Sequence, residues 1–380
     1  MRKDYLRPWQ AVILGSVAGL IGVIIVVVAM HALSLKEKLQ PIPTPLPRNI
    51  PLQIRGAIPY WDKTAVTSFT DNVKLFSHIS LFWYYLTPEG DVAKYKYAVE
   101  DKELLNFARE HGVKTSMVIT NLPDGEASSW NTDLVKNVIN DPVRRQKHID
   151  AIKNKIVEMG FDGVTIDYES LAGDLKNNFS KFISDLSASL HQAHKLVGVS
   201  LHAKSGSRGD RDYSFQDWPK LAKAADQLFI MAYDEHWASS SPGAVASYSW
   251  DERVVSYALN HDIPPQKLFL GIPFYGYDWN VDSHDPAKGL TYKEVMELIK
   301  KYDVQPQFDE TSREPHFTYE ADGDSHEVWY EDAHSVAEKI KLADDVGLSG
   351  VSFWRLGGED PQVWERLKEI NQINSSPIEQ

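Results

Sequence analysis

The sequence predicts an α/β chain folded as a (β/α)8 TIM barrel, with a small α+β insertion between strands 7 and 8 and an N-terminal transmembrane helix ahead of the barrel. Three observations lead there. From residue 54 onward, eight short β-rich apolar runs alternate with amphipathic stretches, and strands that alternate with helices pair in parallel. Eight such units in about 300 residues fit a closed barrel better than an open doubly wound sheet, and no phosphate loop of the G-x-G-x-x-G or G-x-x-x-x-G-K-S/T kind follows an early run. Finally, roughly eighty residues separate the centres of the seventh and eighth runs, against thirty to forty elsewhere, so a module is inserted in the last interval.

In chain order, residues 1–10 read as a cytoplasmic tail and 11–32 as a signal anchor. Ala11 to Met30 are twenty residues without a charge, and a helix of that length spans about 30 Å, the hydrocarbon thickness of a bilayer. Arg2, Lys3 and Arg7 precede it, which puts the N-terminus in the cytoplasm and everything after the anchor outside. The run is longer than the apolar core of a signal peptide, and MHALSLKEK offers no small-x-small cleavage site, so the segment reads as an uncleaved single-pass anchor in the cell membrane. Residues 33–52 form a stalk: PIPTPLPRNIP, at 41–51, has five prolines and runs extended at about 3.1 Å per residue.

The barrel domain occupies 53–372. Its strand runs are IRGAIPY (54–60), HISLFWYY (78–85), VKTSMVI (113–119), DGVTIDYE (162–169), LVGVSLHA (196–203), DQLFIMAY (226–233), KLFLGIPF (267–274) and SGVSFWR (349–355). The stretches between have helix punctuation, as where Asp141-Pro142 supply the N-cap and first position of a helix that ends on Gly160. The insertion, 280–331, holds a helix pattern, GLTYKEVMELIKKY, and two strand pieces, PHFTYEA and HEVWYED, joined through a turn at Asp322-Gly323-Asp324. EDAHSVAEKIKLADDVGL resumes the barrel, and 373–380 is a tail.

A net charge of −13 repels nucleic acid, which is therefore not an expected partner. The chain has no cysteine, which excludes a disulfide scaffold, a thiolate metal site and a cysteine enzyme. Carboxylates suit calcium or magnesium, but no nearby strand end supplies further ligands and the 13 histidines are scattered, so neither a metal nor a cofactor is expected.

The fourth run carries the chemistry. Side chains alternate along a strand, so Gly163, Thr165, Asp167 and Glu169 share one face while Asp162, Val164, Ile166 and Tyr168 share the other. The apolar set meets the helices. The small and acidic set then points into the barrel, with Glu169 at the C-terminal rim, where barrel enzymes keep their chemistry. Carboxylates two residues apart on one face lie about 6 to 7 Å apart at the backbone, close enough for one charge to raise the other's pKa. Glu169 would be the proton donor and Asp167 the partner that orients and stabilises. An isolated D-x-E would read instead as solvated strand-end acids or half of an ion pair.

The company of these residues changes that reading. DGVTIDYE resembles the glycoside hydrolase family 18 signature D-G-x-D-x-D-x-E, MAYDEHW (231–237) resembles that family's M-x-Y-D at the sixth strand, and GVSFWRLGGEDPQVW (350–364) resembles its eighth-strand tryptophan segment. The resemblance covers about 54 to 370 and implies a (β/α)8 barrel that cleaves β-1,4 linkages beside N-acetylglucosamine by substrate-assisted catalysis with retention. It implies that Glu169 protonates the leaving oxygen, that the sugar's acetamido oxygen attacks the anomeric carbon, that Asp167 holds the acetamido nitrogen, and that Tyr233 hydrogen-bonds the acetamido oxygen. Trp354 would floor the reacting subsite, since sugar C–H faces pack on flat rings. Asp234 would contact a sugar hydroxyl or else pair with Arg355, and Met231 would pack beneath the site. Tyr60, Trp83, Trp237, Tyr275 and Trp279, at or beyond other strand ends, would extend the cleft.

The family's second aspartate is Thr165 here. A hydroxyl can donate a bond but carries no charge, so Asp167 is expected to ionise more readily than in the fuller motif. That replacement, with FDETSREPHFTYEADGDSHEVWYED and FWRLGGEDPQVW, is more similar to the bacterial branch that includes spore-cortex peptidoglycan hydrolases than to secreted chitinases. That branch often carries LysM repeats; the anchor takes their place here. The expected partner is thus an N-acetylglucosamine-containing glycan outside the cell, with the membrane reached through the N-terminal helix. A carbohydrate-binding lectin on the same barrel is the alternative from another class, and the presence of Glu169 weighs against it.

Overall fold

A computed structural model of the protein describes residues 51–125, 129–206, 213–283 and 285–375. The expected anchor and all but the last two residues of the stalk lie outside the described residues. Among the described residues, no helix is long and apolar enough to cross a membrane.

All eight strand runs read from the sequence become barrel strands. β1 (Gln53–Pro59) and β2 (His78–Leu86) are followed by a short β3 (Val92–Lys94), then β4 (Lys114–Thr120), β5 (Gly163–Asp167), β6 (Leu196–His202), β7 (Gln227–Met231) and β8 (Leu268–Pro273). Five further strands come next: β9 (Gly276–Asn280), β10 (Lys288–Leu290), β11 (Gln307–Asp309), β12 (Glu314–Ala321) and β13 (Asp324–Tyr330); β14 (Gly350–Trp354) then returns to the barrel. The ladder runs β2-β4-β5-β6-β7-β8-β14 and closes because β1 pairs in parallel with both β14 and β2. β3 lies antiparallel on β2 at one end.

The face assignment along β5 holds. Val164, Ile166 and Tyr168 are fully buried in the core between strands and helices, and each such side chain contributes about 1.5–3 kcal/mol relative to exposure. A one-residue slip would exchange these for Thr165 and Asp167, so burial fixes the register. Asp162, just before the strand, accepts the Thr115 N–H at 2.8 Å. The helix Pro142–Met159 feeds this strand: Asp141 Oδ1 accepts the N–H groups of Val143 and Arg144 at 2.8 and 2.9 Å, and Gly160 ends the helix at φ 78°, the left-handed conformation that glycine adopts without penalty.

The insertion is a five-stranded antiparallel sheet, β10-β9-β13-β12-β11, with the helix Tyr292–Tyr302 over an apolar cluster of Leu290, Val295, Phe317 and Val328. Asp322 and Gly323 both have positive φ, 56° and 95°, as a two-residue hairpin turn of this twist requires. The sheet begins at Gly276 rather than at residue 280, because β9 starts only two residues beyond β8 and pairs with β13.

A buried ionic cluster ties the insertion to the barrel. Glu314, the first residue of β12, accepts the N–H groups of Val245 and Ala246 at 2.8 Å each. Lys339, from the helix Ala333–Asp345, lies 3.3 Å from Glu314 and 2.6 Å from Glu331. All three are almost fully buried, as is Asp251 beside them.

Candidate active site

An open cavity of about 690 Å³ lies at the C-terminal ends of the barrel strands. Thr165, Asp167 and Glu169 line it from β5 and the loop that follows, Ser200 and His202 from β6, Met231 and Tyr233 to Glu235 from β7 and its loop, and Trp354 from β14. The alternation along the fourth run therefore delivers Asp167 and Glu169 to one open space.

Asp167 is 8 % exposed. Burial pushes its carboxyl up to about 6, partly offset by a hydrogen bond from Ser200. Desolvation is the larger influence on this carboxyl; the expectation that it ionises more readily than in the fuller motif concerns the uncharged neighbour at Thr165 and is a separate comparison. Thr165 Oγ1 is buried with no hydrogen-bond partner among the described residues.

Glu169 lies just beyond the end of β5 and is held by its main chain. Asn121, fully buried after β4, accepts the Glu169 N–H at 2.8 Å and donates Nδ2–H to the Glu169 carbonyl at 2.9 Å. The carboxylate itself sits 3.8 Å from His202 Nε2, and the His202 ring stacks on Tyr213 with centroids 3.9 Å apart. Asn121→Ala removes the two main-chain anchors at once. Its expected result is a fall in kcat of roughly tenfold or more, since small misplacement of a catalytic group has large effects, with glycan affinity little changed; equal losses in kcat and affinity would contradict a purely positioning role.

Tyr233 lies across β8. A Cβ on Gly271 would come within 2.9 Å of the Tyr233 ring and 2.3 Å of the Ile230 carbonyl, so only glycine allows that approach. Burial, with the charges of Asp167, Glu169 and Asp234, raises the Tyr233 phenol well above its ordinary range, which keeps it a hydrogen-bond donor. Asp234 adopts φ 60° and accepts the hydroxyls of Tyr275 at 2.7 Å and Tyr277 at 3.0 Å. Arg355, the alternative partner considered for Asp234, pairs instead with Asp62.

The aromatic residues divide. Trp354 is half-buried at the cavity, with Trp61 at 6.4 Å and Phe82 at 5.7 Å between ring centroids. Trp237 also lines the cavity and is exposed. Tyr60 stacks on Tyr95 at 4.9 Å and is outside the lining, as is Tyr275, whose hydroxyl is taken up by Asp234. Trp83 and Trp279 are buried, 3 % and 4 % exposed, and do not reach the cavity. The register of β2 shifts between Phe82 and Tyr84, and this bulge turns Trp83 toward Phe161 among the helices. Trp130, His202, Trp250 and Arg253 line the cavity without having been expected from the sequence. Trp61, 50 % exposed directly after the first strand, packs edge-on against Trp354 but lies outside the lining; the four lining residues carry no local signal in the sequence.

The sequence model of Glycosyl hydrolases family 18 matches residues 57–359. The Cortical fragment-lytic enzyme of Bacillus anthracis is 29 % identical over 278 residues, covering 72 % of this chain and 64 % of that protein. The Uncharacterized glycosylase YvbX of Bacillus subtilis (strain 168) is 31 % identical over 267 residues, 70 % of this chain and 77 % of the relative. Among solved structures, the Bacillus cereus spore cortex-lytic enzyme SleL superposes with a TM-score of 0.76 at 25 % identity, covering 84 % of this chain and 74 % of that one. A chitinase from Chromobacterium violaceum ATCC 12472 gives 0.77 at 29 % identity, covering 86 % and 100 %.

Proposed function

The chain belongs to glycosyl hydrolases family 18, and on that premise we propose that it is a retaining glycosidase. It cleaves β-1,4 linkages in an N-acetylglucosamine-containing glycan, peptidoglycan or a chitin-like polymer. The observation that carries this reading is that Asp167, Glu169 and Tyr233 meet on one open cavity floored in part by Trp354.

In this mechanism a sugar packs on the Trp354 ring, with its acetamido group directed toward Tyr233 and Asp167. The Tyr233 hydroxyl donates to the acetamido oxygen and aims it at the anomeric carbon. Glu169 gives its proton to the glycosidic oxygen as the bond to the leaving sugar breaks. Asp167, ionised, accepts from the acetamido N–H and balances the positive charge that grows on the cyclic oxazolinium ion. Glu169, now a carboxylate, takes a proton from water, which opens the ring with retention. Neither an enzyme nucleophile nor a metal enters these steps.

Because ionised Asp167 is the working form, kcat/KM is expected to rise with pH through about 6. Thr165→Asp places a second carboxyl beside it, and like charges disfavour ionisation of the pair. The acid limb should then move to higher pH; an unmoved limb would contradict the assigned role of Thr165.

We also propose that the domain acts outside the cell, held at the membrane by residues 11–32. The uncharged run and the preceding Arg2, Lys3 and Arg7 support this. Fractionation of the full chain tests it, with the protein in the membrane fraction and open to external protease as the expected result. The substrate reading is tested by mass spectrometry of the products when residues 52–380 meet peptidoglycan and chitin oligomers separately. Release of N-acetylglucosamine-ended fragments from either is expected. Binding without any product would favour a lectin.

A further inference from the structure

The cavity wall beyond β7 holds a charge that hydrolysis does not use. Arg253, on the helix Tyr248–Asn260, is the one Lys or Arg among the described residues that line the cavity, and its side chain is 37 % exposed. Four carboxylates line the same space: Asp167, Glu169, Asp234 and Glu235. With a net charge of −13 on the chain, the surroundings otherwise repel an anion.

The guanidinium is held in place from its own helix. Nη1 donates to the Ser249 carbonyl at 3.0 Å, and Nη2 lies 3.8 Å from Glu235 Oε1. Glu235 is engaged elsewhere: its Oε2 accepts the Ser247 N–H at 3.0 Å, and burial pushes its carboxyl above the ordinary range. Arg253 is thus a fixed, planar donor whose charge is only partly balanced inside an acidic cleft.

We infer that Arg253 forms a subsite for a carboxylate carried by the glycan, on a sugar beside the one that reacts. This rests on the glycosidase reading and narrows its substrate to polymers with acidic substituents, such as the lactyl ether of N-acetylmuramic acid or the short peptide attached to it. A guanidinium binds a carboxylate through paired N–H bonds, whereas unsubstituted N-acetylglucosamine offers it no such partner. Discrimination comes from both sides, because the four cavity carboxylates disfavour an acidic glycan wherever Arg253 does not meet its charge.

The test compares wild type, Arg253→Met and Arg253→Lys on peptide-free alternating N-acetylglucosamine–N-acetylmuramic acid glycan, as the free acid and as its methyl ester, with peptide-bearing glycan and chitin oligomers alongside. For wild type, kcat/KM on the free acid should exceed that on the ester by about tenfold or more. The ratio should collapse toward one in Arg253→Met and be partly kept in Arg253→Lys. A preference that appears only with peptide-bearing glycan, and is lost when its carboxylates are esterified, assigns the subsite to the peptide. The same ratio in wild type and Arg253→Met overturns the inference, as does turnover confined to chitin oligomers, which leaves the glycosidase reading standing. If no glycan of any kind is cleaved, the glycosidase reading falls and takes the subsite with it. Turnover of the ester by Arg253→Met shows that the variant is folded.

Discussion

Glu169→Gln is expected to lower kcat on natural glycan by about 10²–10⁴, the range that a positioned general acid supplies. Glutamine keeps the size of the side chain and the main-chain bonds to Asn121, so glycan affinity by calorimetry should stay close to wild type. The loss should depend on the leaving group. A dinitrophenyl glycoside departs without help from an acid, so its release should suffer far less than that of a sugar leaving group. Equal losses on both would mean that Glu169 supports the site in some other way than by protonating the departing oxygen.

The second large effect lies away from the cavity. Lys339 is the single cation among Glu314, Glu331 and Asp251, all almost fully buried. Burial raises Asp251 and Glu331 well above the usual carboxyl range, and Lys339 partly counters this in both. Lys339→Met keeps the bulk of the side chain but leaves the buried carboxylates without their cation, a change that destabilises by about 3–5 kcal/mol. Denaturant unfolding should show the loss. The sign with pH follows from the raised carboxyl pKa values: protonated groups need no cation, so the deficit should shrink as pH falls and grow as it rises. A midpoint unchanged by the substitution would show that the cluster contributes nothing to holding the insertion against the barrel.

How much of this was legible in the sequence depended on whether the deciding interaction was local. The eight strand runs are apolar, short and bounded by helix caps such as Asp141 and Gly160, so each announced itself within a few residues. The alternation of DGVTIDYE was enough to send Asp167 and Glu169 inward, because the burial of Val164 and Ile166 admits only one register. What failed or went unseen was set by distant partners. A bulge in β2 turned Trp83 away from the cleft. Tyr60 was claimed by Tyr95, and Arg355 by Asp62. His202 and Arg253 reach the cavity from other strands and helices, and no spacing in the chain links them to Glu169. The high pKa of Asp167 is a property of enclosure by neighbouring strands, which a motif read along one strand does not contain.

The central claim is that the substrate's own acetamido oxygen, rather than a group of the protein, attacks the anomeric carbon while Glu169 supplies the proton. It is tested most directly by kcat/KM on a series of aryl N-acetylglucosamine oligomers whose reacting acetyl group carries none, one, two or three fluorines. Each fluorine withdraws electrons from the carbonyl oxygen and makes it a poorer nucleophile. The account predicts a steep, monotonic fall across the series, and a flat series would contradict it.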